Sequence, residues 1–488
     1  MSATVVPRTI AGVVARNALE QPDGVAFVEA ASSETMTWAE YHARSSQMAS
    51  ALGEFDRGDR VALQIADGPG VHAAMLACEK AGLVAVGIGA RAGEREVDHL
   101  VSRSGARALL REPPRPADPT DPADPADEQP IGPEELWFLN STSGTTGLPK
   151  IVMHDQARWF AFHDLADRVA RFTADDVFCS VLPAPFGFGL WTAHFSPAIA
   201  GAACVVCARF DAKTVLRAIE HYRVTVLAAV STQFVMMLNS TAIDEYDLSS
   251  LRIMFTGGEM VPYERAKEFE DRTGAHVLQF YGSNETGALS CTTPDDPQSK
   301  RLRTAGRIIP EMHVRLLDAE TGADITAPGT PGVPAGKGPT LCLGYYDDQA
   351  ANDELFTADG WMRMGDLATI DAEGYLTVVG RTSDLIIRGG KNISATQVED
   401  EVASHPDVAL CGAVAVADPT FGERVCAFVE MREGVAPITL DALREHLGAR
   451  GTGKELWPER LVVLEALPRS SGGKVAKGEL RTLAKSHG

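Results

Sequence analysis

Residues 141–150 read Ser-Thr-Ser-Gly-Thr-Thr-Gly-Leu-Pro-Lys, packing five hydroxyl side chains, two glycines and a lysine into ten positions. Such a loop offers backbone N–H groups, hydroxyl donors and a cation to a polyphosphate, and its glycines let the main chain approach closely. It is not a Walker A loop, which needs Gly-Lys-Ser/Thr after a four-residue gap from the first glycine. Here Leu148-Pro149 separates Gly147 from Lys150, and no hydroxyl follows the lysine to hold magnesium. The strand-like run Leu136–Leu139 delivers the chain to this loop. Ligands of open α/β sheets sit beyond the carboxyl ends of strands, so the loop marks both the architecture and the site.

Four further segments follow in order. They are Tyr281-Gly282-Ser283-Asn284-Glu285-Thr286-Gly287, then Gly360-Trp361 through Gly365-Asp366-Leu367. Next comes Gly380-Arg381-Thr382-Ser383-Asp384 running into Gly389-Gly390-Lys391-Asn392-Ile393-Ser394, and last Leu467-Pro468-Arg469-Ser470-Ser471-Gly472-Gly473-Lys474. Together with the loop, they resemble the ordered motifs of the adenylate-forming superfamily: acyl-CoA synthetases, nonribosomal-peptide adenylation domains and luciferases. The resemblance spans nearly the whole chain.

Length and composition agree with a soluble multi-part enzyme. At about 150 residues per domain, 488 residues suggest roughly three units. Apolar content of 45% and charged content of 23% are ordinary. A net charge of −21 repels nucleic acid and anionic membranes, yet leaves room for a locally positive nucleotide pocket. The eight cysteines are scattered. Cys204 and Cys207 share a strand-like run that puts them on opposite faces, and no second pair stands at zinc-site spacing. All eight read as reduced thiols. The N-terminus lacks a secretory pattern, and no apolar run nears the ~20 residues that span a bilayer. Cytoplasmic residence is the expectation.

The chain alternates helix and strand patterns from 9 to 110 and again from 175 to 290, which argues for layered α/β architecture. Thr37 stands as a hydroxyl N-cap before Trp38-Ala39-Glu40. Residues 113–133, rich in Pro and Asp, break the pattern and read as a surface excursion. Gly, Pro and short alternating strands from about 300 to 380 suggest a small β-rich subdomain. After Asp384 comes a compact α+β unit. The expected division is a large layered α/β N-terminal domain with its β-rich subdomain over 1–380, a hinge at 381–384, and a small mobile α+β C-terminal domain over 385–488.

The resemblance implies a two-step reaction. A carboxylate attacks the α-phosphorus of ATP, giving an acyl-adenylate and pyrophosphate; a nucleophile, usually a thiol, then displaces AMP. Ser141, Thr142, Ser143, Gly144, Thr145, Thr146, Gly147 and Lys150 would hold the β- and γ-phosphates. Lys474 would be the catalytic cation between carboxylate and α-phosphate. Glu285 would ligate Mg2+, which favours one or two carboxylates beside phosphate oxygens and water. Tyr281 would border the adenine, with Gly282 and Asn284 in the same motif, and Gly257, Gly258 and Glu259 would shape the pocket. Asp366 would accept from both ribose hydroxyls, and Arg381 would reach the ribose or α-phosphate. Phe186, Phe188 and Gly189 would line the acyl pocket, and Gly389, Gly390 and Lys391 the thiol tunnel.

Three positions depart from the family pattern. Asn284 stands where Thr is usual, Ile151 replaces a common glycine, and Ser383 occupies the hinge position that usually carries Lys or Asp. No aspartate lies in Leu182–Leu190 to pair a substrate ammonium, which disfavours an α-amino acid. The phenylalanines and glycines there suit a flat or compact apolar acid. The reading is an AMP-forming acid–thiol ligase using ATP, Mg2+ and CoA as co-substrate, with a small carboxylic acid as partner. The alternative is an adenylating enzyme that loads a carrier protein or another nucleophile in a natural-product pathway.

Overall fold

The computed structural model describes residues 8–115, 128–142, 149–259, 261–381, 384–389, 391–469 and 474–486. Among them, two large sheets carry the N-terminal part. The nine-stranded sheet runs Arg307–Ile308, Gly287–Cys291, His276–Ser283, Ile253–Thr256, Val226–Ala228, Val177–Ser180, Ala203–Val206, Val25–Glu29, Thr35–Thr37. Its centre is parallel, and those strands are almost continuously buried, as parallel strands covered on both faces must be. The six-stranded sheet runs Gly344–Tyr345, Ile151–His154, Phe138–Ser141, Val84–Gly87, Arg60–Leu63, Ala108–Leu110.

One apolar core joins the two sheets. It holds Val61, Val84 and Phe138 from the smaller sheet, Phe27, Phe178, Phe255 and Leu278 from the larger, and much of the helix Pro69–Lys80 between them. The helix Trp38–Ala51 opens on a reciprocal capping box in which Thr37 Oγ1 accepts from the Glu40 N–H and the Glu40 carboxylate from the Thr37 N–H. Cys204 faces this core and Cys207 a second one across the same sheet, on opposite faces as strand geometry demands. All eight cysteines are free.

Residues 313–363 supply a four-stranded antiparallel sheet, and Asp366–Ile370 pairs Leu376–Arg381 in a hairpin. Beyond it, Lys391–Ser394, Leu385–Arg388, Gly422–Met431 and Val408–Asp418 form a sheet, with Arg460–Leu464 added in parallel to Gly422–Met431. One face of this sheet buries Ala413, Val425, Ala427 and Val429 against the helices Ala395–Ala403 and Leu440–Ala449. The other face, with Leu410, Val414 and Phe428, shares a core with Phe234 and Met237 of the helix Ser231–Asn239 in the large part. The C-terminal unit is therefore docked on the N-terminal part through an apolar seam. Of residues 113–133, the stretch 116–127 lies outside the described residues; among those residues no helix is long and apolar enough to cross a membrane.

Candidate active site

The strand Phe138–Ser141 pairs antiparallel with Ile151–His154, and the Thr142 N–H donates to the Lys150 carbonyl at 3.0 Å. This pinches the two ends of the Ser/Thr/Gly loop together. Ser141 is buried, while Ser143, Gly144, Thr145, Thr146 and Gly147 lie outside the described residues. Ile151, the departure from the expected glycine, is 5% exposed and packs in the core.

Lys150 leads into a small charged cluster. Its ammonium lies 4.9 Å from the centroid of the Tyr345 ring, and the Tyr345 hydroxyl donates to Glu285 Oε1 at 2.8 Å. Glu285 sits in the turn between the strands His276–Ser283 and Gly287–Cys291, so its carboxylate is set by a hairpin, and no helix N-terminus is involved. The turn is held by Ser283 and Thr286 hydroxyls, and the Glu285 carbonyl accepts from the Cys342 N–H at 2.7 Å. Among the described residues Glu285 Oε2 accepts no hydrogen bond, and such a carboxylate fits a magnesium ion shared with phosphate oxygens. Among the described residues no group of three or more His, Cys, Asp and Glu is arranged to hold a metal by protein ligands alone.

A second cluster gathers around Asp366. The Tyr281 hydroxyl donates to Asp366 Oδ2 at 3.0 Å, and Arg381 Nε donates to Oδ1 of the same carboxylate at 3.2 Å. Burial, then the Asp366 charge, pushes the Tyr281 phenol well above its usual range, so it stays a donor. Gly282 belongs to this strand, and its tight approach to the Gly287 carbonyl leaves no room for a Cβ. Gly257 similarly passes under the Phe280 carbonyl, which an added Cβ would meet at 2.7 Å.

Lys474 joins this cluster from the far end of the chain. Its Nζ donates to the Gly258 carbonyl at 2.8 Å across 216 residues. Among the described residues it makes no ion pair. Burial lowers its pKa, while the Glu259 and Asp366 carboxylates pull it back up and Arg381 opposes them. Glu259 in turn accepts from the Thr232 N–H at 3.1 Å, and burial raises its pKa against the Lys474 charge. Residues 470–473, ahead of the lysine, lie outside the described residues.

Two expected groups stand apart. Gly389 and Lys391 are exposed on the C-terminal unit, where the Gly389 N–H donates to the Phe421 carbonyl; Gly390 lies outside the described residues. The basic tail that follows Lys474 is not freely solvated: Lys477 and Arg481 both pair with Asp384, and Lys477 with Glu399 at 3.0 Å. The hinge positions 382 and 383 are outside the described residues.

On the acyl side, Phe186 and Phe188 are half-buried. Phe188 stacks on Trp191, which stacks on Phe162 at 4.6 Å and meets Phe255 and Phe280 edge-on. Leu190–Phe195 winds as a wide π-helical turn, a distortion common at functional sites. A Cβ on Gly189 would fall 2.2 Å from the Pro183 carbonyl, so only glycine fits there. Asn284, expected among the nucleotide-binding residues, has its side chain engaged with a neighbouring amide. Its amide pairs with that of Asn140, beside Gly187. Asn140, His154, Arg158 and Tyr345 were not singled out in the sequence. The position of Asn140 at the end of the loop-bearing strand was the available signal.

Comparison with known proteins gives this geometry a family. Residues 14–346 match the AMP-binding enzyme model and residues 397–474 the AMP-binding enzyme C-terminal domain. Feruloyl-CoA synthase from Amycolatopsis sp is 30% identical over 466 residues, covering 91% of this chain and 93% of that protein. Medium-chain fatty-acid–CoA ligase from Escherichia coli is 32% identical over 350 residues, 71% of this chain; the match spans 61% of that ligase. Among solved structures, ATP-bound MatB from Rhodopseudomonas palustris superposes with a TM-score of 0.85 at 26% identity, covering 98% of this chain and 99% of MatB. The chain belongs to the AMP-binding enzyme family, as an AMP-forming ligase of acyl-CoA synthetase type.

Proposed function

We propose that this protein adenylates a flat or short apolar carboxylic acid at the ATP α-phosphate and then passes the acyl group to CoA. The carrying observation is the Lys474 ammonium on the Gly258 carbonyl, with Glu259, Asp366 and Arg381 close by. Among the described residues Lys474 has one hydrogen-bond acceptor and no ion pair, and such a cation is suited to charge that develops only during reaction. Lys474 would steer the carboxylate and neutralise the pentacoordinate phosphorus. Asp366 would trade its Tyr281 and Arg381 contacts for the ribose hydroxyls. Lys150 and the loop 141–147 would grip the β- and γ-phosphates. Glu285 would hold a magnesium ion, which supplies charge neutralisation on the phosphate oxygens.

The acid class follows from the lining. Half-buried Phe186 and Phe188 stand before the packed rings of Phe162, Trp191 and Phe280, and such an aromatic wall favours an aryl or compact apolar acid. For the second step, 385–488 would pivot about 381–384 against 1–380, withdrawing Lys474 and presenting the exposed Gly389–Lys391 turn. A cavity of about 190 Å3 lies beside Gly89 and Pro183 and includes Arg91 and Arg209. Gly89, on the lining, lies next to the Phe186 ring, and Asp67 lines the same cavity and interacts with Arg91. Two arginines at such a mouth suit a phosphate-bearing thiol, whether CoA or a carrier protein's phosphopantetheine. The free, largely buried thiols suit the cytoplasm.

Exchange of labelled pyrophosphate into ATP, screened over aryl and short-chain acids, tests the first step. Acid-dependent exchange followed by CoA-dependent AMP release is expected. ATP cleavage to ADP, or no exchange with any acid, would refute the reading. AMP release that needs a carrier protein and ignores CoA would move the assignment to that acceptor.

A further inference from the structure

Arg158 is 2% exposed, and among the described residues no carboxylate makes an ion pair with its guanidinium. The Asp155 and Glu285 carboxylates offset its burial only from beyond ion-pair distance, so its hydrogen bonds carry much of the burden. They run to one place. Nη1 donates to the Asn284 carbonyl at 3.0 Å and to His154 Nδ1 at 2.6 Å, and Nη2 lies 3.5 Å from the Glu285 carbonyl.

The remaining proton positions follow by elimination. Asn140 Nδ2 donates to the Pro185 carbonyl at 2.9 Å, and a carbonyl can only accept. Asn140 Oδ1 therefore faces the other way, where His154 Nε2 lies at 2.8 Å and Asn284 Nδ2 at 2.7 Å. His154 must carry its proton on Nε2 and accept from Arg158 on Nδ1, so the ring is neutral and in one tautomer. Asn140 Nδ2 also reaches Asn284 Oδ1 at 3.3 Å, which closes a reciprocal amide pair. The chain of contacts from Arg158 to Asn284 thus has one consistent arrangement. It ends where a Cβ on Gly187 would fall 2.8 Å from Asn284 Oδ1 and 3.1 Å from Trp159 Cη2. Asn284 in place of the usual Thr is accommodated by the glycine opposite.

We propose that Arg158 is a positioning residue for adenylation, acting through the His154–Asn140 relay to hold the Asn284 carboxamide at the acyl pocket and the Glu285 main chain at the metal-binding turn. This rests on the adenylation reading above. The relay has two ends, so it has two separable effects. Loss of Arg158 loosens both the turn and the carboxamide. Loss of Asn140 frees the carboxamide alone.

The test uses the full chain with Arg158→Met, Arg158→Lys and Asn140→Leu. Pyrophosphate exchange gives kcat and KM for the acid, and calorimetric titration of ATP at graded Mg2+ gives a reading that needs no turnover. Arg158→Met is expected to raise the acid KM by about 10-fold or more and to raise several-fold the Mg2+ needed for half-maximal ATP binding. Arg158→Lys should recover part of both. Asn140→Leu should raise the acid KM by about 10-fold and leave the Mg2+ dependence alone. Wild-type KM and Mg2+ dependence in Arg158→Met would overturn the proposal. So would a loss of kcat alone that lysine does not rescue. Should Arg158→Met fail to fold, Asn140→Leu decides: an unchanged acid KM there overturns the relay. If the wild type shows no acid-dependent exchange, the adenylation reading fails, and the calorimetric arm still decides whether Arg158 positions Glu285.

Discussion

Two lysines of this protein, Lys80 fully buried and Lys474 half-buried, are treated in opposite ways. Lys80 ends the helix Pro69–Lys80 and is fully buried. Its ammonium donates to Ser46 Oγ at 2.6 Å and to the His42 carbonyl at 3.1 Å, meets His42 Nδ1 at 3.1 Å, and pairs with Glu128 at 3.4 Å. Among the described residues Lys474 has one carbonyl, with carboxylates only at longer range. Burial lowers the pKa of both, so the shift alone does not separate them. The partner set does. Lys80 has every ammonium proton spoken for and pins the chain where it re-enters after the Pro/Asp-rich segment, with Gln129 N–H bonded to the Lys80 carbonyl. Lys474 retains capacity that a triphosphate would fill.

Removing each ammonium should break the pair apart. Lys474→Ala is expected to lose about 10²–10³ in adenylation, while thiolysis of a preformed acyl-adenylate and the denaturation midpoint change little. Equal loss in both half-reactions would make Lys474 no different from a folding residue. Lys80→Ala should do the reverse, costing about 3 kcal/mol of stability because a fully buried ammonium, its hydrogen bonds to Ser46 and His42 and its pairing with part-buried Glu128 are all lost. The folded fraction should keep its exchange rate, and a kcat loss without destabilisation would erase the contrast.

Titration removes the Lys474 charge reversibly. Its folded pKa lies below its ordinary 10.5, so adenylation falls as pH rises through a value lower than that of a free lysine. Stability moves the other way. Between the folded and unfolded values the unfolded chain binds more protons, so unfolding free energy from this group rises with pH. Activity lost while stability is gained is the expected alkaline signature. A profile flat to the range of a free lysine would put the ammonium in water.

Much of this contrast was legible in the sequence, and the reasons are local. The phosphate loop, the hairpin acid Glu285 and the Gly-Gly-Lys before the tail are contiguous signals whose chemistry does not need the fold. Thr37 was legible because a capping box is written in four residues. The relay was not legible. Asn140, His154, Arg158 and Asn284 come from a strand, its neighbour, a following helix and a hairpin turn 126 residues from Arg158, and only packing makes them adjacent. The role of Lys477 and Arg481 was hidden likewise. As sequence they resemble a solvated basic tail, and their carboxylate Asp384 lies more than 90 residues away.

The ribose side sharpens the same lesson at smaller scale. Asp366→Ala removes the acceptor shared by Tyr281 and Arg381, and ATP affinity is expected to fall about 10-fold in equilibrium binding. An unchanged affinity would make the Tyr281–Asp366–Arg381 cluster a structural pin like that of Lys80.

The smallest effect is expected at the rim of the docked C-terminal unit. Arg432 and Arg450 approach Glu268 and Glu264 of the helix Tyr263–Thr273, each at 3.9 Å. All four side chains are at least a quarter exposed, so each pair contributes at most about 1 kcal/mol. The apolar seam of Leu410, Val414 and Phe428 against Phe234 and Met237 carries most of the docking. Arg432→Ala with Arg450→Ala should therefore slow adenylation less than about 5-fold at low salt and not at all at high ionic strength, where the wild type has already lost the contribution. The proposed pivot about 381–384 predicts a slight rise in thiolysis of preformed adenylate in the same variant. If the double variant instead stops adenylation outright, the docking that brings Lys474 to Gly258 is ionic, and the seam serves only to fold the C-terminal unit.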